Sequence, residues 1–176
     1  MIVDINKVIA QLPEKVREWR IIKTINIPFR QYVVELCRQN HCGMYGKNWQ
    51  CPPGVGTLED LQRECLSYKE GLLFTTCYQL TDSFDIDGMT KARTIHEQTT
   101  DFVIGLFGTD KIKALSAEGC DLCVECAYPN APCRYPQKAR PSVEAYGISV
   151  VELSKDYDLR YNNGEHTVTY FSLILY

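Results

Sequence analysis

Cys120, Cys123, Cys126 and Cys133 crowd into one stretch, GCDLCVECAYPNAPCRYP, at residues 119–136. Two residues separate each neighbouring pair among the first three. A loop with that spacing can wrap one corner of a cubane and offer three thiolates to three irons, with a more distant cysteine completing the set. Zinc uses the same closely spaced pairs, and four thiolates complete its tetrahedral site. The third cysteine at the same interval favours iron and sulfur. Cys133 departs from the ferredoxin run, because six residues precede it where three are usual and two more separate it from Pro136. Whether it closes the same centre as the other three or reaches another is left open by the spacing.

A second constellation lies upstream, in CRQNHCGMYGKNWQCPP, with Cys37, Cys42 and Cys51. Pro52 and Pro53 fix the backbone after Cys51 and remove amide donors, while Gly43 and Gly46 permit the tight turns of a chain wrapping a compact ligand. Seven thiols in two Gly/Pro-rich loops look like two half-sites that the fold brings together. Arg134, Lys138 and Arg140 follow the second motif and Lys47 lies in the first. Cations there would stabilise an anionic cluster, and Tyr45, Trp49, Tyr128 and Tyr135 would shield it from water. The competing reading of these residues is solvated charge and ordinary aromatic packing.

Composition bounds the rest. The chain has 176 residues, 45% of them hydrophobic, enough for one domain spanning 1–176 to bury a core without covalent staples. Its nine cysteines are an odd number, and MIVDINKVIAQLPEKVREW lacks the basic start and apolar run of a secretory signal. A cytoplasmic protein with reduced thiols is therefore expected, which favours metal or redox chemistry over disulfides. A net charge of -3 and a pI near 5.6 argue against a nucleic-acid partner. No run approaches the eighteen or so apolar residues of a membrane span. The expected partner is a redox protein or a small-molecule substrate.

Cys65 falls on the apolar face of a helix pattern and Cys77 inside a strand pattern, where a free cysteine packs as a small hydrophobe. His41 reads as an exposed loop residue, His96 as the polar flank of a helix and His166 as part of a turn. No nucleophile–histidine–carboxylate order stands out, and Gly54 and Gly56 form only a lone GVG. Any chemistry would then reside on a metal centre.

The elements that must position these loops follow from periodicity. Ile5, Val8, Ile9 and Leu12 mark a helix that Pro13 ends or kinks, with a short continuation through Trp19. Residues 21–27 look extended, and QYVVELC (31–37) suits strand or helix. Thr57 stands as the N-cap of a helix carrying Leu58, Leu61, Cys65 and Tyr68, which Gly71 stops. LLFTTCYQL (72–80) reads as a buried strand. A helix is expected over 90–107 with Gly108 as its C-cap, and a short strand over 112–116. One or two helical turns suit 141–146, where the start of a helix would aim amides at an anionic ligand; the expected use of Glu144 and Tyr146 is to pack the loop onto the sheet. Residues 148–153 read as a strand, and after the turn Asn162–Gly164 the last ten positions return as an antiparallel strand. The fold expected is mixed α/β: a mixed sheet of about four or five strands with flanking helices, and cysteine-rich loops at 37–53 and 119–141.

The two motifs, Cys37 to Pro53 and then Gly119 to Ile148 with Arg134, Pro136, Arg140, Pro141, Ser142, Glu144, Ala145, Tyr146 and Gly147, resemble a family of small cysteine-rich prokaryotic proteins. That family occurs mainly in anaerobes and is known as predicted metal-binding proteins of unknown function. The resemblance covers roughly residues 30–155. It implies metal binding through Cys37, Cys42, Cys51, Cys120, Cys123, Cys126 and Cys133, and no established reaction. The leading expectation is a protein with one or two cubane 4Fe-4S clusters, acting as an electron carrier or cluster-dependent accessory protein. Seven loop thiols are one short of the eight that two cubanes need. An enzyme with an open iron as Lewis acid or sulfur acceptor is one alternative, and a zinc-stabilised interaction module is the other.

Overall fold

A computed structural model describes residues 3–108 and 111–176. Helix α1 (Ile5–Ala10) is capped by Asp4, and α2 (Gln31–Arg38) ends in the first cysteine loop. Beyond that loop Thr57 caps α3 (Leu58–Leu66), its Oγ1 accepting from the Asp60 N–H at 3.2 Å. The long α4 (Ile86–Phe107) ends at Gly108, whose left-handed conformation (φ 60°) suits glycine. Ser149 caps α5 (Val150–Asp156). The strands β1 (Glu18–Lys23), β2 (Glu70–Gln79), β3 (Lys113–Leu115) and β4 (Thr167–Leu175) form one sheet in the order β1-β2-β4-β3. Among the described residues every ladder is antiparallel, with a parallel contact only at the isolated Ser116–Ser142 bridge. Among the described residues no helix is long and apolar enough to cross a membrane.

Both faces of this sheet are covered, which explains why β2 and β4 read as nearly continuous apolar runs. Leu72, Phe74 and Ile174 pack with Val8 of α1 and with Val103 and Phe107 of α4. Leu73, Leu173 and Leu175 face the opposite way, towards Leu61 and Cys65 of α3, Leu153 of α5, and Tyr146 and Ile148. Cys65 is fully buried, and burial pushes its thiol pKa up to about 12. That environment is the packing role expected of it.

Several local expectations yield to tertiary context. Trp19 lies in β1 opposite Phe74, because α1 stops at Ala10 and β-prone WRII finds a partner in β2. The extended segment ends at Lys23, in a 3-10 turn over Thr24–Asn26. Gly71 ends no helix: it lies inside β2, where a Cβ would come within 2.8 Å of Leu173 and 2.9 Å of Leu175. Residues 148–153 are not a strand. Ile148 makes one bridge to Phe29, and the Ser149 cap then starts α5 through the β-branched pair Val150 and Val151. No hairpin partner for β4 remains there, so β4 pairs instead with β2 and β3.

His96 is also not on a polar flank. It is fully buried, with Nδ1 2.8 Å from Thr76 Oγ1 and Nε2 2.9 Å from Ser172 Oγ, and Tyr170 lies against its ring. Burial, opposed by the neighbouring Glu97, brings its pKa down from 6.5 to about 4. The unfolded chain therefore takes up a proton near pH 6.5 that the folded chain refuses until about pH 4. Stability present above 6.5 is lost as the pH falls through that window, by roughly 3 kcal/mol in all and about 2 kcal/mol by pH 5. Denaturant unfolding between pH 7 and 5 should show this slope, flattened in His96→Gln.

Candidate metal centre

The first cysteine loop leaves α2 at Cys37 and reverses through three left-handed residues, Asn40 (φ 57°), Gly43 (φ 74°) and Gly46 (φ 70°). The Gly46 N–H donates to the Pro52 carbonyl at 2.9 Å and closes the turn. The second loop runs from Ser116 to Pro141, and these two residues meet at its base, the Ser116 N–H donating to the Pro141 carbonyl at 2.9 Å. Trp49 joins the loops: its Nε1–H donates to the Ala131 carbonyl at 2.9 Å and its ring meets Tyr128 edge-on at 4.8 Å. Gly54 permits this docking, because a Cβ there would stand 2.8 Å from the Tyr128 ring and 2.6 Å from the Asn48 carbonyl.

Docking sorts the thiols into two neighbouring cavities. Cys120, Cys123, Cys126 and Cys133 line one, together with Trp49, Leu122, Arg134 and Tyr135. Cys37, Cys42 and Cys51 line a cleft beside it, with Tyr45, Arg93, Glu118, Asp121 and Glu144. Cys133 thus faces the cavity of the closely spaced trio, and Cys51 faces that of Cys37 and Cys42. All nine cysteines are free thiols. Among the described residues no three Cys, His, Asp or Glu side chains converge as a ready ion site.

The donor set fits a metal centre in softness, number and surroundings. Burial raises the Cys120 pKa, while the Leu122 backbone N–H directed at its sulfur works the other way. Burial likewise raises Cys51, against the pull of the Asn48 side chain, the Cys120 N–H and the Arg93 charge. Cys37 is pushed up to about 11 by burial and by the nearby Cys42, Cys51 and Glu144. Such thiols are protonated at neutral pH, so binding a metal must release protons, and the amides aimed at sulfur would then stabilise the thiolates.

Helix α4 holds the second loop at both ends, a role the sequence reading missed. Arg93 donates from Nη2 to the Gly119 carbonyl and pairs with Asp121 at 3.0 Å and Glu118 at 3.4 Å. Glu97 and Asp101 each take one arm of Arg140 at 2.6 Å, and Ser116 donates to Glu97 at 2.5 Å. Burial works to raise the Glu97 pKa, but the bonds from Ser116 and Arg140 outweigh it and hold the carboxyl below its ordinary value. The only sequence signal is the spacing: Arg93, Glu97 and Asp101 stand four apart, along one helix face.

Of the four cations expected beside a cluster, Arg134 alone lines the four-thiol cavity, where it also donates to the Glu125 carbonyl at 2.7 Å. Arg140 is committed to α4, and Lys138 lines a different cavity with it. Lys47 lines neither thiol cavity. His41 is exposed against Gln39, and His166 sits in a turn with φ 53°. In place of a helix start after the second loop there is a three-residue 3-10 turn, Glu144–Tyr146. Tyr146 is buried and donates to Glu64 at 2.7 Å, whereas Glu144 faces the three-thiol cleft with one side open to solvent.

Comparison with curated proteins and with solved structures finds no match. Residues 20–176 match the profile of the family described as "Predicted metal-binding protein (DUF2284)", a span that includes both thiol cavities and the α4 clamp, and the chain belongs to that family.

Proposed function

We propose that this is an iron–sulfur protein in which Cys120, Cys123, Cys126 and Cys133 hold a cubane 4Fe-4S cluster that exchanges electrons with a partner. The observation that carries the reading is that these four thiols line one cavity. The double two-residue spacing supports iron over zinc. When bound, the cluster would supply reversible one-electron chemistry. Around it Trp49 and Tyr135 would exclude water, the Leu122 amide would stabilise sulfur, and Arg134 would offset negative charge.

The electron-transfer role draws support from the position of the loop. Leu122, Val124 and Tyr135 are exposed apolar side chains on or beside the cavity, a short path from its sulfurs to a docking protein. Free thiols suit a reducing compartment, so a cytoplasmic setting is part of the proposal. A spectroelectrochemical titration under anaerobic conditions tests the role. A carrier bleaches and recovers its visible absorption reversibly with no substrate present. A spectrum that no reductant changes, or that changes irreversibly, would reject it.

A further inference from the structure

The three-thiol cleft contains an acid, Glu144, that bonds the Ser142 hydroxyl but is paired with no cation among the described residues. Cys37, Cys42 and Cys51 line this cleft with three carboxylates, Glu118, Asp121 and Glu144, and one guanidinium, Arg93. Glu118 and Asp121 are both taken by Arg93. Glu144 forms no ion pair among the described residues and is the electrostatic neighbour of Cys37. Its rigid placement comes from the Glu144–Tyr146 turn, whose Ala145 N–H donates to Ser142 Oγ at 3.0 Å and whose Tyr146 is locked in the core. A cleft holding three thiols and a surplus of carboxylates over its one guanidinium suits a cation, and the carboxylate without a cationic partner is the one free to coordinate it.

We propose that Glu144 supplies the fourth, non-cysteine ligand of a second iron–sulfur centre held by Cys37, Cys42 and Cys51. This rests on the iron–sulfur reading above and resolves its arithmetic: seven loop thiols and one carboxylate make the eight ligands of two cubanes. Besides the two carboxylates taken by Arg93, the other oxygen side chains lining the cleft are the hydroxyls of Tyr45 and Ser142. His41 is absent from its lining. A carboxylate binds iron as a harder, weaker ligand than thiolate. The iron at Glu144 is therefore the exchangeable one of its cluster, and a small ligand entering the open cleft would compete there.

The full chain is reconstituted anaerobically with Mössbauer-active iron and sulfide, as wild type, Glu144→Gln and Glu144→Cys, and iron per chain is measured on the same samples. Wild type should show one iron whose spectrum differs from that of its thiolate-bound neighbours. Glu144→Cys should keep the iron count and lose that distinct site, while Glu144→Gln should lose about one iron per chain. The isosteric glutamine and the ligating cysteine both keep the turn, and circular dichroism verifies the fold. Three identical spectra with identical iron would overturn the assignment. So would wild-type iron sufficient for one cubane and indifferent to Cys37→Ala, an outcome that leaves the four-thiol centre standing. Protein with no iron or sulfide at all would remove both.

Discussion

Cys123→Ala should lose the cluster of the four-thiol cavity, and with it about half of the bound iron if each cavity holds one cubane. The expected loss is large because an open iron in an exposed loop has no protein sulfur to replace the missing thiolate: Cys120, Cys126 and Cys133 are already on the cavity wall, and Cys51 faces the neighbouring cleft. Cys120→Ala and Cys133→Ala should give the same loss. Cys133 is the informative one, since its spacing from Cys126 departs from the ferredoxin pattern. Cys65→Ala is the control. Cys65 packs against the sheet, so its removal should leave the iron unchanged while lowering stability by about 1 kcal/mol. Iron analysis and denaturant unfolding on the four variants separate ligands from packing.

Arg140→Ala should destabilise the protein by about 2–3 kcal/mol and loosen the second loop. The side chain is 14% exposed and its partner Glu97 26%, so the pair is mostly shielded, whereas Asp101 at 65% contributes little. Breaking a fully buried pair costs about 3–5 kcal/mol, because the remaining charge is stranded; partial exposure of the partners brings the figure down. Stranded Glu97 would still accept from Ser116, at the base where the chain enters and leaves the loop. The damage should therefore spread to the cysteines: their alkylation in the metal-free protein should accelerate. Arg140→Lys should recover only part of the loss, since one ammonium cannot reach two carboxylates as a guanidinium fork does. A change below about 0.5 kcal/mol would mean that the clamp is an ordinary surface pair.

The frame of the fold was legible where pattern and context agree. The helical period and Gly108 mark α4, and TVTYFSLILY marks β4, because long periodic elements carry their own signal. Val150 and Val151 misled for the opposite reason: a β-branched pair outweighs a serine cap when read locally, but in the folded chain the cap and the contacts of Leu153 decide. The cysteines themselves were visible as candidates from spacing. Their division into four and three was not, because it depends on Trp49 reaching Ala131, 82 positions away. Arg93 and Glu97 escaped notice likewise, since their partners lie 19 to 43 positions downstream and leave no local mark. Lys138 and Arg140 read as cluster cations only because they follow the motif closely in sequence. The chain turns at Pro136 to Arg140 and carries them to a different cavity.

The most direct measurement is iron, zinc and acid-labile sulfide determined on one anaerobically purified sample, together with its visible spectrum. An iron–sulfur centre predicts brown protein with iron matched by sulfide. Colourless protein with stoichiometric zinc and no sulfide, even after anaerobic reconstitution, would contradict it and make the two loops zinc-bound structural knuckles.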